Sequence, residues 1–414
     1  MFIKYLKYLY FTIVCLCASL TTNAQQNLSS GFLYGKVTLN NGEHYEGQLR
    51  WENEQAMWGD LFNAIKLEPP YHDAIDLEKV RSQQNNDSES GFDMGFMKLW
   101  EDRAPQIKYY FKCQFGALLR IRSIDSERAE VLLKDRSAIQ CKNFKGDLNK
   151  GISIFDRSVG LLEFDWETIK QIDFISTPSN VRSSIGKPLY GKVLTNNGSF
   201  EGFITWDMEE RTEDDLIDGY MQGGTKVTLL MKDIQKIQSE RDGSMITLKS
   251  GRKVFLGRHD DVGKGNHGIV IRTKEMGNIK VAWNSFISVK FFEAPHAAPS
   301  YDEFPLPTAI RGQVTSTEGK SYEGRLLFDL DESIDAEVLD GENDDFSYFI
   351  PFNLIASLIP ENYNYTLVEL KNGTELLLGK RDDVTYKNLG ILIWEANKQP
   401  VYIPFKNVRQ VLFK

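Results

Sequence analysis

Residues 190–207 read YGKVLTNNGSFEGFITWD, and the same phrase occurs twice more, as YGKVTLNNGEHYEGQLRWE over 34–52 and RGQVTSTEGKSYEGRLLFD over 311–329. In the first copy Tyr45, Gly47, Leu49 and Trp51 alternate with Glu46, Gln48 and Arg50. The second copy places Phe200, Gly202, Ile204 and Trp206 in that register, and the third Tyr322, Gly324, Leu326 and Phe328. Period two with one apolar face predicts a half-buried strand. Upstream, Asn41-Gly42 and Asn197-Gly198 supply the positive φ of a tight hairpin, with Glu318-Gly319 as a weaker equivalent. The glycine in mid-strand suggests a bend or bulge of the kind that closes a small barrel.

A second motif follows each copy: LLKDRSAIQC from Leu132, TLKSGRKVFLG from Thr247 and ELKNGTELLLG from Glu369. Copies two and three then align without a gap, so Asp260 and Asp261 match Asp382 and Asp383, and Gly268 matches Gly390. Near the ends, Ile350-Pro351-Phe352 and Ile403-Pro404-Phe405 are each followed by aliphatics three apart, which predicts a strand, one short helical turn and a last strand. The expectation is an all-β chain of three tandem modules, 31–176, 186–293 and 309–414, each of two small, partly open β-barrel half-units with about five short strands. Module one is enlarged by an insertion, about 63–107, without counterpart in the others. The linker from Ala294 carries Pro295, Pro299, Pro305 and Pro307 and should be extended.

The strand, tight turn, aromatic, Glu-Gly and bent strand resemble the first Sm motif, and the Ile-Pro-Phe endings are similar to the close of PRC barrels. The threefold repeat looks like the uncharacterised repeat proteins secreted by Gram-negative bacteria, a resemblance that implies a fold and no activity. RNA binding is not carried over, because the loop after the aromatic strand is acidic in all three copies.

The chain has 414 residues, 49 Lys+Arg against 58 Asp+Glu, a net charge of −9 and 41% hydrophobic residues. That balance excludes a disordered or disulfide-dense chain and argues against a nucleic-acid binder that works by neutralising phosphates. Residues 1–24 form a signal peptide: Lys4 and Lys7, an apolar run, then Thr22 and Ala24 before Gln25. The mature chain, at −11, is expected in the periplasm, at the cell surface or outside the cell, with no transmembrane segment. Two cysteines remain, Cys113 and Cys141, which form either one disulfide or two core thiols, since Cys141 falls where Leu256 and Leu378 lie.

Chemistry is sparse. Glu46, Glu201 and Glu323 recur in every copy, which suits a cross-strand partner better than acid catalysis. His259, Asp260, Asp261 and His267 have the content of a zinc site, although copy three replaces the histidines with Arg381 and Leu389. The acidic loops from Asp207 and Asp329 have the carboxylates for calcium but not the EF-hand spacing, and a solvated acidic hairpin tip is the commoner explanation of such a run. No cofactor is expected. Trp58, Phe96 and Trp100, in or near the single-copy insertion, are the candidate partner contacts. The function expected is non-enzymatic binding or scaffolding in the bacterial envelope, with an envelope protein or glycan as partner. The alternatives are a hydrolase of envelope polymers using paired carboxylates and an outer-membrane β-barrel.

Overall fold

The computed structural model describes residues 28–51, 54–68, 108–142, 151–181, 184–396 and 398–414. The proposed signal peptide, Phe96, Trp100 and nearly all of the proposed insertion lie outside them. The described chain is all-β, with single 3-10 turns as its only helical elements. The first ten strands are β1 Tyr34–Leu39, β2 His44–Trp51, β3 Leu61–Lys66, β4 Tyr109–Gln114, β5 Leu118–Ser123, β6 Arg128–Leu133, β7 Ala138–Lys142, β8 Ile152–Asp156, β9 Gly160–Phe164 and β10 Ile169–Phe174. The next ten are β11 Tyr190–Thr195, β12 Gly198–Thr205, β13 Leu216–Tyr220, β14 Lys226–Leu230, β15 Ile234–Glu240, β16 Gly243–Leu248, β17 Lys253–Gly257, β18 Ile269–Thr273, β19 Gly277–Val281 and β20 Phe286–Phe291. The last ten are β21 Arg311–Ser316, β22 Ser321–Leu327, β23 Val338–Asn343, β24 Phe346–Pro351, β25 Ile355–Asn362, β26 Tyr365–Leu370, β27 Glu375–Gly379, β28 Ile391–Trp394, β29 Val401–Ile403 and β30 Val408–Phe413.

Strands β1 to β10 form one antiparallel sheet in the order β4-β3-β7-β6-β5-β10-β1-β2-β8-β9. A second sheet holds the other twenty strands, and neither closes into a barrel. Within the second sheet β20 pairs with both β11 and β15, and β30 with both β21 and β25, as β10 pairs with both β1 and β5. The two tens are joined edge to edge through β19 and β24. The groups of about five strands are not consecutive in the chain: β3 to β7 are inserted between β2 and β8, and β10 ties the inserted five to the strands that flank them. Linear order along the sequence cannot reveal this pairing, because the two partners of β10, β1 and β5, are far apart in the chain.

The strand–turn–strand ends form as expected: β24 runs into the turn Phe352–Leu354 and β25, and β29 leads to the turn Phe405–Asn407 and β30. Trp51, Trp206 and Phe328 all point into the core. Trp51 meets Phe62, Phe115 and Trp166; Trp206 meets Trp283 and Phe286; Phe328 meets Phe352 and Phe405. These edge-on and tilted rings bury large areas with little freedom left to reorganise.

Two sequence expectations change here. The insertion does not begin at Asn63, since β3 and β4 form a hairpin in the place that β13 and β14, and β23 and β24, occupy later. The extra length falls between Lys66 and Tyr109, and residues 69–107 of it lie outside the described residues. The mid-strand glycines owe their place to close approach rather than to a bulge: a Cβ on Gly47, Gly202 or Gly324 would press into the carbonyl oxygen of Phe155, Arg272 or Trp394 on the neighbouring strand. Gly202→Ala should accordingly lower stability by about 1–3 kcal/mol in urea unfolding; an unchanged midpoint would show that the strands separate freely there.

Candidate functional site

The loops after the inward aromatic carry the same carboxylate cap in all three sets. Asp207 and Asp329 take positive φ, both 48°, turning the chain sharply after the strand. A few residues on, one carboxylate folds back onto the loop's own backbone. Asp60 accepts from Ala56 N and Met57 N (both 2.9 Å), Asp215 from Arg211 N and Thr212 N (both 2.7 Å), and Glu337 from Ser333 N and Ile334 N (2.7 and 3.1 Å). Charge-assisted bonds to two amides fix each loop.

The same three carboxylates reach across to a different set of ten strands. Asp60 meets Arg272 Nη1 at 2.8 Å and Arg211 Nε at 3.5 Å, while Asp215 meets Arg50 Nη2 at 3.1 Å. Glu337 meets Lys66 Nζ, which also lies 3.1 Å from Asp331 Oδ1, and Lys112 pairs with Asp340. Burial pushes Asp60 up, but Arg272, Arg211 and the two amides prevail and hold it below the usual carboxylate range. Burial pulls Lys66 down, and the surrounding Asp331, Glu337 and Glu332 more than reverse it, so the ammonium stays charged. Part of the acidity of the later loops thus receives bases of the first sheet.

Next to each cap lies one unpaired buried oxygen at one recurring position: Gln55 Oε1, Glu210 Oε2 and Glu332 Oε2. Burial and then Asp261 push Glu210 up to about 9, and burial with Asp383 raises Glu332 well above its usual value. At about 9 Glu210 keeps its proton at pH 7, and Glu332 is shifted in the same direction, toward the neutral form that the first set carries as an amide at Gln55.

The sequence-selected residues take structural places. His259 Nδ1 lies 2.8 Å from Asp261 Oδ1, and Asp261 Oδ2 accepts from Asp218 N at 2.6 Å. Asp260 is exposed at the start of the turn Asp260–Val262. His267 turns away from that group: its Nδ1 is 3.0 Å from Asp207 Oδ1, an oxygen that also accepts its backbone N–H. Leu389 N donates to Asp329 in the same manner, so the fold requires the amide and not the ring. Among the described residues no group of three or more His, Cys, Asp or Glu is arranged to hold a metal. Cys113 and Cys141 are free, buried thiols, and burial pushes Cys141 up to about 12.

Trp58 is corrected as a partner contact. It is wholly buried, its indole N–H bonds Ser30 O at 3.0 Å, and its ring packs 4.5 Å from that of Tyr301. Tyr301 belongs to the proline-bearing linker, which docks on the first sheet through Tyr301 Oη to Leu118 O at 2.6 Å and Lys134 Nζ to Phe304 O at 3.0 Å. Glu46 and Glu201 do take cross-strand partners, the hydroxyls of Tyr34 (3.1 Å) and Tyr190 (3.2 Å).

An open cleft of about 410 Å³ lies beside β2 and β8, lined by Tyr34, Gln48, Asp156, Arg157 and Asn180. Gln48 Oε1 accepts from Ser184 N at 2.9 Å while its Nε2 has no partner. Burial pushes Asp156 up, but the amides of Ser158, Glu46 and Val159 outweigh it and leave a depressed carboxylate with no proton to give at neutral pH.

Arg50, Asp60, Lys66, Arg211 and Arg272 were not signalled by any motif. The one available hint was a lysine ending the otherwise largely apolar LFNAIK of β3.

No family model matches the chain, and no curated protein does. Among solved structures, one titled "Streptogramin B lyase structure" aligns over 72% of this chain and 94% of its own, at 10% identity and a TM-score of 0.10, too low to carry any structural argument.

Two predictions follow from the buried charges. Lys66→Met leaves Asp331 and Glu337 without their cation and should cost about 3–5 kcal/mol in denaturant unfolding. Glu210 has a folded pKa above its unfolded value, so its stabilisation is complete below about 4.5 and is lost as pH rises toward about 9. Glu210→Gln should therefore raise the unfolding midpoint at pH 8 and leave it nearly unchanged at pH 4; equal effects at both would contradict a neutral acid.

Proposed function

We propose that the chain is an exported, non-enzymatic protein with a binding or scaffolding role in the bacterial envelope, its partner an envelope protein or glycan. The observation that carries this reading is where the perturbed acids lie. Glu210 and Glu332 sit with their free oxygens buried, at a position filled by an amide in the first set. A general acid must reach a substrate, and a position that works equally as glutamine is architectural. The cleft beside β2 and β8 offers Asp156, which is held ionised and is already engaged by three amides.

The hydrolase alternative needs one protonated and one ionised carboxyl facing each other across open space. The outer-membrane barrel finds no support either: the sheets are open and the strands are three to eight residues long, against the roughly 9–11 that spanning requires. No helix among the described residues is long and apolar enough to cross a membrane.

The test is co-sedimentation of the mature chain with purified sacculi and with outer-membrane vesicles, read together with release of soluble sugar. Saturable association with one fraction and no release is expected. Sugar release abolished by Asp156→Asn would overturn the reading in favour of a hydrolase.

A further inference from the structure

The junction between β19 and β24 shows what the edges of these sheets bind. There Ile279 stands opposite Tyr348 and Lys280 opposite Ser347, and Ile279 and Tyr348 are buried to 0% and 4% exposure. The first sheet repeats the β19 edge in β9, since Ile152↔Phe164 has the place of Ile269↔Val281. The second sheet repeats the β24 edge in β14, because Leu230 precedes the turn Met231–Asp233 as Pro351 precedes Phe352–Leu354. Among the described residues β9 pairs only with β8, and β14 only with β13.

We propose that β9 of one copy of this chain pairs with β14 of a second copy in the register of β19 with β24. That register sets Leu162 opposite Val227, both left half-buried, where Ile279 and Tyr348 cover each other. It also sets Glu163 opposite Lys226, whose ammonium, 2.9 Å from Asp218 Oδ2 within its own chain, would then lie between two carboxylates. Leu161 and Val159, 54% and 60% exposed, gain cover on the same edge. The backbone is ready for it: Ala282 N donates to Asp345 O at 3.2 Å, so amides two and four residues earlier face β24 as well, and their equivalents in β9 are Glu163 and Leu161.

The partner is a second copy because the chain holds its own two edges apart. The first sheet is clamped to the others through Arg50, Lys66 and Lys112, and four fewer residues separate β10 from β11 than separate β20 from β21. The remaining edge of this type, β29, has three residues and stops at Pro404, the form of an edge protected against pairing. A β9-to-β14 contact is head-to-tail and uses different surfaces on the two copies, so it builds a ring or an open chain of molecules.

This inference deepens the scaffolding reading and is separable from it. Sedimentation velocity of the full mature chain should show association that grows with concentration. Glu163→Pro removes an outward N–H without breaking the β8 ladder and should abolish association. Glu163→Lys and Lys226→Glu should each weaken it by about tenfold, and mixing the two variants should restore pairs. A strictly monomeric wild type, assembly by Glu163→Pro equal to wild type, or loss of assembly in a Val401→Pro control would each overturn the inference. If that monomer still co-sedimented with envelope material, only self-pairing would fall.

Discussion

One carboxylate per set, Asp60, Asp215 or Glu337, ties its own loop to the backbone and ties that loop to another set of strands. The two tasks depend on each other. Without the pair of backbone amides the loop would not hold the acid in place, and without the opposing base a buried charge would stand uncompensated. A buried ion pair contributes little net stability relative to an apolar contact, yet removing one member is costly. Such contacts therefore specify geometry more than they add strength, and here they decide which face of the first sheet is covered. Arg50, on the supposedly outer side of β2, lies half-buried against Asp215.

That arrangement separates architecture from chemistry. Glu210 and Glu332, both shifted toward neutrality, sit beside the caps, where Gln55, Glu210 and Glu332 share one position. Titratable groups perturbed this strongly often mark active sites. The repeat provides the discriminating comparison, because an amide at one of the three equivalent places shows that the site asks for shape and polarity rather than a proton. The linker that carries Tyr301 and Phe304 completes the enclosure by packing on the first sheet.

Much of the local fold was legible in the residues. Alternation fixed the buried face of β2, β12 and β22, and the Ile-Pro-Phe endings marked both the 3-10 turns and the strands after them. The pairing of Glu46 and Glu201 across strands was likewise visible as recurrence on one face. Long-range pairing was not, since β10 joins β1 and β5, strands far from each other in the chain, and no local pattern marks that choice. Trp58 resembled a surface contact because its cover, Tyr301, comes from a distant linker. The acidic loops resembled solvated tips because the bases that meet them, Lys66 and Arg50, lie hundreds or more than a hundred positions away in sequence. Period two tells which side of a strand is apolar; it does not tell what lands on the polar side.

The central claim is that the acidic loops clamp one sheet to the other, and a double-mutant cycle between Lys66 and Glu337 tests it most directly. Unfolding free energies of Lys66→Met, Glu337→Gln and the double variant should show a coupling of about 1–3 kcal/mol, with the double variant less damaged than the sum of the singles. Additive effects within about 0.5 kcal/mol would mean that the two side chains do not hold each other, and would contradict the clamp.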